Sequence, residues 1–133
     1  MTEPKLNPDN LTPLRYRGSL LSAFHNAIRG ILIAFKNERN LQVQMVIATV
    51  VIVAGIVFEL NITEWSIISI SISFVIVAEM LNTAIENTLN RISLEEHPLT
   101  RNAKDVSAGA VLISCIAAVV IGCLIFIPKI LGN

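Results

Sequence analysis

Charge is scarce in this chain. Only 15% of its 133 residues are Asp, Glu, Lys or Arg, against about 25% in an ordinary soluble domain. The charge present balances, ten basic residues against ten acidic, which excludes the basic footprint of a nucleic-acid binder. Aromatic residues make up 5%, with six glycines and five prolines. That composition excludes collagen, a Gly-rich scaffold and a disordered Pro-rich chain. The two cysteines, Cys115 and Cys123, share one apolar stretch. On a helix they stand about 12 Å apart along the axis, beyond the reach of a disulfide, and read as small packing residues. The two histidines, His25 and His97, are distant in the chain, so a His/Cys zinc site has no support. His97, before Pro98, reads as a loop residue rather than a base. Neither a Walker-type GxxxxGK(S/T) loop nor the Gly-rich loop and HRD motif of protein kinases occurs.

What the chain has instead is apolar length. Hydrophobic residues reach 53% and the mean hydropathy is +0.67, in a polypeptide long enough for one domain. Three segments can cross a bilayer, which needs about 20 mostly apolar residues: residues 41–60, 65–89 and 106–131. The alternation SIISISISF is too long for one strand, and three strands cannot close a barrel in lipid. The expected fold class is therefore all-α integral membrane.

A shorter segment, residues 19–37, carries Leu20, Leu21, Phe24, Ile28, Ile31, Leu32 and Phe35 at helical spacing, with His25, Asn26, Arg29 and Lys36 among them. It reads as an N-terminal amphipathic surface helix, its basic residues facing anionic headgroups. Residues 1–18 contain three prolines and no periodicity and are expected to form a loose tail. No basic region followed by an apolar core and cleavage site is seen there, so no signal peptide is expected. Residues 19–133 then form a single membrane domain.

Orientation follows from Lys and Arg. Lys5, Arg15, Arg17, Arg29, Lys36 and Arg39 precede the first span, the link from Glu59 to Glu64 has none, and the second link holds Arg91, Arg101 and Lys104. The positive-inside rule puts the N-terminus and the 90–105 link in the cytoplasm. Trp65 opens the second span, where an interfacial aromatic belongs.

The second span also holds the anomaly. Glu79, Asn82, Thr83, Glu86 and Asn90 are offset by 3, 4, 7 and 11 residues, which places them on one helix face. Hydrogen bonding between helices explains Asn82 and Thr83. It does not explain two carboxylates with no Lys or Arg in any span to neutralise them except Lys129, at the far end of the third, and ionisable groups at such depth are functional by default. Lys104, where the third span begins, reads as a phosphate ligand or as a positive-inside anchor. Asp105 beside it either caps the helix or orients Lys104. Glu38, in the turn Lys36-Asn37-Glu38-Arg39-Asn40, lies at the level expected for Glu86. Two carboxylates meeting there suit Mg²⁺, with phosphate oxygens and water completing its shell; a solvated charged turn is the other reading of Glu38.

Taken together, these motifs resemble the small prokaryotic lipid kinases, the diacylglycerol kinase and undecaprenol kinase family. Glu79-Met80-Leu81-Asn82-Thr83-Ala84-Ile85-Glu86 is similar to the signature E-x-x-N-(S/T)-(S/A)-x-E. Ala103-Lys104-Asp105, followed by Ser107-Ala108-Gly109-Ala110, is similar to the family's A-K-D block. Glu38 falls where the family places a metal-binding Glu. The resemblance spans about residues 20–131, and the FELNITEW link, the HPL segment and the IFIPK ending look more like the Gram-positive-type undecaprenol kinase branch. It implies a homotrimeric bundle in the bacterial cytoplasmic membrane, multi-pass, with Mg²⁺ and ATP used to phosphorylate a lipid alcohol: undecaprenol, or else diacylglycerol. It further implies Glu79 as general base, Glu38 and Glu86 as metal ligands, and Lys104 and Asp105 at the nucleotide. Glu95, Glu96 and His97 are candidates to border the nucleotide. One position departs: the signature's terminal Asp is Asn90 here, keeping shape and an acceptor but losing the charge. Two other classes fit part of the pattern, a small oligomeric cation or proton channel lined by the intramembrane carboxylates and, because of Asn90, a catalytically silent homologue.

Overall fold

The computed structural model describes residues 19–92 and 97–132. The tail expected over 1–18 and the candidates Glu95 and Glu96 lie outside the described residues. Four helices follow in order, α1 (Leu20–Asn37), α2 (Arg39–Val57), α3 (Ile62–Ile92) and α4 (Pro98–Ile130). The described residues contain no strand. α3 and α4 form the principal pair, α2 packs on α3, and α1 touches α2 and α3.

The joint between α1 and α2 is one residue long. Glu38 takes an extended conformation, φ −102° and ψ 110°, which ends one helix and starts the next. The last carbonyls of a helix lack partners within it. Here the Gln42 side chain donates from Nε2 to the carbonyls of Phe35 at 3.1 Å and Lys36 at 3.3 Å. At the other end of α1, Ser19 Oγ accepts from the Ser22 amide at 3.4 Å as an N-cap.

α2 reaches the next turn through Phe58 and Glu59, the latter left-handed at φ 50°. Asn61 then starts α3: its Oδ1 accepts from the amides of Thr63 at 2.9 Å and Glu64 at 3.0 Å. Glu64 Oε2 returns the contact by accepting from the Asn61 amide at 2.8 Å, a capping box. Trp65 lies across Gly55 so closely that a Cβ there would meet its Cη2 at 2.7 Å. An ion pair between Lys129 and Glu64 at 3.2 Å ties the same end of α4 to α3. Phe58 and Phe126 add an edge-to-face contact, centroids 6.0 Å apart.

All three membrane helices have boundaries that differ from the expected spans. α2 begins at Arg39 and ends at Val57, α3 extends at both ends to Ile62–Ile92, and α4 begins at Pro98. The early start of α4 has a local cause. Pro98 suits the first helical position, where its missing amide proton is not needed. His97 caps the turn, its Nδ1 accepting from the Leu99 amide at 3.2 Å. Most of the expected 90–105 link is therefore helical. Asp105 cannot cap α4, because it lies in the second turn of a helix already started at Pro98.

Polarity is partly inverted. The buried side chains include Ser71, Glu79, Asn82, Ser107 and Ser114 beside apolar ones such as Leu41 and Ile68, whereas large Leu, Ile, Val and Phe side chains are exposed on the helices. α2, α3 and α4 each have the length and composition to cross a membrane. In lipid such a surface needs no covering, since hydrocarbon is as apolar as leucine.

Candidate functional site

The face of α3 predicted from spacing exists, and each of its main polar groups is met by a different neighbour. Glu79 is only 2% exposed. Its Oε2 accepts from Gln44 Nε2 on α2 at 3.2 Å. One turn on, Asn82 Oδ1 accepts from Ser107 Oγ on α4 at 2.6 Å. The Asn82 amide nitrogen donates to Glu86 Oε1 at 3.3 Å, fixing one carboxylate oxygen of Glu86. Ser107 Oγ also lies 2.9 Å from the Lys104 carbonyl, joining the seam to the turn that bears Lys104. At the end of α3, Asn90 Oδ1 accepts from Lys104 Nζ at 2.6 Å. Thr83 is half-buried beside Asn82.

Two of these contacts use residues that sequence reasoning missed. Gln44 is a polar residue within the first apolar span, two positions after Gln42, and that placement was its only signal. Ser107 was legible as a small residue for close helix approach, not as the hydroxyl that orients Asn82. The Gln44 amide is used on one side only: its Oε1 is buried and has no hydrogen-bond partner among the described residues. Gln44 also lines an apolar cavity of about 470 Å³ between α2, α3 and α4, bounded by Ile68, Ser71, Val75, Cys115, Gly122 and Phe126 among others. The cavity thus abuts the residue that holds Glu79.

Lys104 and Asp105 do not act as a pair. Lys104 turns to Asn90, while Asp105 faces Arg101 at 4.0 Å, both largely exposed. Adjacent residues on a helix diverge by about 100°, so Asp105 does not orient Lys104. An exposed ion pair of this kind contributes little. His97 is the cap of α4. Glu38 is half-buried at the α1–α2 joint, and its side chain makes no cap hydrogen bond. Among the described residues no cluster of three His, Cys, Asp or Glu side chains occurs. Mg²⁺ does not need one: it is typically held by one or two carboxylates plus substrate phosphates and water. Glu38 and Glu86 fit that donor set in kind and number.

Three membrane-length helices, with the carboxylate of Glu79 buried among them, define an integral membrane protein. Residues 25–126 match the family described as prokaryotic diacylglycerol kinase. The chain is 43% identical over 108 residues to the undecaprenol kinase of Bacillus subtilis, covering 81% of this chain and 88% of that protein. It is 31% identical to the diacylglycerol kinase of a Synechocystis species, covering 97% of this chain and 77% of that protein. With the diacylglycerol kinase of Escherichia coli the identity is 31%, covering 73% and 80%. The chain belongs to the prokaryotic diacylglycerol kinase family and is a membrane lipid kinase.

Proposed function

We propose that this kinase transfers the γ-phosphoryl group of ATP to undecaprenol, with Glu79 as general base. The observation that carries the base assignment is Glu79 itself: buried to 2% exposure and held at one oxygen by Gln44, which also lines the apolar cavity. The greater likeness to an undecaprenol kinase, 43% identity against 31%, supports a polyprenol over diacylglycerol.

Depth along α3 supports the division of labour. Taking Trp65 as one boundary, Glu79 lies about 21 Å inward and Glu86 about 31 Å, at 1.5 Å per residue. A hydrocarbon core is about 30 Å thick. Glu79 then sits within reach of a hydroxyl whose tail stays in the bilayer, and Glu86 at the inner boundary where ATP arrives. The N-terminus and the segment joining α3 to α4 face the cytoplasm, a placement that the Lys and Arg distribution supports. α1, with Leu20 91% exposed at its start, lies on that membrane surface.

In the reaction Glu79 takes the hydroxyl proton, and the oxygen attacks the γ-phosphorus. The bond from that phosphorus to the bridging oxygen breaks, and ADP leaves with the electron pair. Glu38 and Glu86 would hold Mg²⁺, which would supply screening of the phosphate charge. Lys104 lies against the phosphates and stabilises charge in transfer. Positioning and electrostatics supply the catalysis. Asp105 borders the nucleotide from its exposed position. The assembly is a homotrimer: three spans alone leave the cavity open to lipid, and small residues such as Ala108, Gly109 and Ala110 permit close helix approach.

The test is purified protein in mixed micelles with radiolabelled ATP and each lipid alcohol. A higher kcat/KM for undecaprenol is expected. A higher value for diacylglycerol overturns the substrate assignment, and no phosphorylation of either overturns the kinase chemistry.

A further inference from the structure

From the contact at the end of α3, we infer that Asn90 is a positioning residue for Lys104, holding its ammonium at the mouth of the seam without neutralising it. The inference rests on the reading of Lys104 as a phosphate ligand.

The two residues belong to different helices. Asn90 lies in the last turn of α3 and Lys104 in the second turn of α4. Their contact, 2.6 Å between Nζ and Oδ1, is a direct hydrogen bond from a charged donor to an amide oxygen. The Lys104 backbone is tied to the seam as well: its carbonyl lies 2.9 Å from Ser107 Oγ, whose single proton is shared with the nearer Asn82 Oδ1 at 2.6 Å. Backbone and side chain of Lys104 are therefore both referred to α3, at Asn82 and Asn90. These positions flank Glu86, four residues from each on the same face.

An ammonium has three donors, so one N–H on Asn90 leaves two for phosphate oxygens. The acceptor is an amide, so the positive charge stays uncompensated. Among the described residues no carboxylate pairs with it: the adjacent Asp105 is turned to Arg101. A flexible lysine stem would otherwise sample many positions at a water-exposed helix end. With Asn90 it is pre-placed one turn beyond Glu86. The departure from the signature Asp then keeps the geometric role of the position and removes only its charge.

The test measures binding of a non-hydrolysable Mg²⁺–ATP analogue and steady-state kinetics on detergent-purified wild type, Asn90→Ala, Asn90→Asp, Lys104→Met and the double variant Asn90→Ala/Lys104→Met. Thermal unfolding of each verifies that it is folded. Asn90→Ala should weaken analogue binding and raise KM for Mg²⁺–ATP about fivefold, the upper range for a partly exposed charged contact, and should lower kcat less. Asn90→Asp keeps an acceptor at the same place and should stay within about threefold of wild type. In the Lys104→Met background Asn90→Ala should change nothing further, since there is no ammonium to place. The inference is overturned if Asn90→Ala binds and turns over as wild type does, or if it does equal damage with and without Lys104. A Lys104→Met variant that binds the analogue as tightly as wild type overturns it as well, by removing the phosphate-ligand reading. Wild type that neither binds the analogue nor phosphorylates lipid overturns the kinase reading itself, a result distinct from the other three.

Discussion

Replacing Glu79 by Gln separates the proton-accepting role of this side chain from its structural one. The amide keeps the volume of the carboxylate in a site where the native group is 2% exposed. Its oxygen can still accept from Gln44 Nε2, the contact that measures 3.2 Å in the native protein. At most one interhelical hydrogen bond is weakened, and such bonds within membranes average about 0.6 kcal/mol. Assembly and unfolding temperature should therefore barely move. Chemistry should fail, because an amide cannot take the hydroxyl proton. General-base catalysis supplies roughly 100- to 10,000-fold, equivalent to about 3–5 kcal/mol of barrier. Single-turnover phosphorylation with labelled ATP in undecaprenol micelles gives the rate, and analogue binding reports the ground state. A variant with intact binding and kcat reduced at least 100-fold is the expected result. Activity within threefold of wild type would refute the base assignment. Equal losses in binding and turnover would place Glu79 at the nucleotide instead.

Two further perturbations test other parts of the molecule. Glu38→Gln and Glu86→Gln should raise the Mg²⁺ concentration needed for half-maximal rate, and excess Mg²⁺ or Mn²⁺ should recover a sizeable part of each defect. A loss identical at all metal concentrations argues against their holding the ion. Gly55→Ala should lower the unfolding midpoint, because the new methyl group meets Trp65 at 2.7 Å and overpacking of this kind costs about 1–3 kcal/mol. Activity per folded molecule should persist, since Trp65 lies about 21 Å along α3 from Glu79, and Trp65→Phe in the same chain should return part of the stability. An unchanged midpoint in Gly55→Ala would show that the indole yields freely.

The spans were legible because a bilayer sets a length, and uncharged runs of that length are hard to mistake. The α3 face was legible too: helical periodicity alone groups Glu79, Asn82, Glu86 and Asn90. Helix ends were less so. The polar turns from Pro98 to Asp105 carry no hydropathy signal, and only the His97-Pro98 start marks them as helix. Partners across helices were the least legible part. Periodicity orders residues within one helix but says nothing of which neighbour meets them. Gln44 on Glu79, Ser107 on Asn82 and Lys104 on Asn90 all depend on how α2 and α4 are rotated against α3. The adjacency of Lys104 and Asp105 in sequence pointed to a pair, whereas helix rotation separates them.

The single-residue joint at Glu38 makes chain length part of the design. With α1 ending at Asn37 and α2 beginning at Arg39, and Gln42 clamped back onto Phe35 and Lys36, no slack remains to absorb an insertion. One added residue would advance α2 by about 100° relative to α1. Keeping Gln44 on Glu79 would then swing α1 off its present contacts with α2 and α3. Keeping α1 in place would carry Gln44 off the seam. The number of residues across this corner is thus constrained as tightly as the identity of any side chain near Glu79, and a one-residue deletion or insertion there should be harder to tolerate than most substitutions.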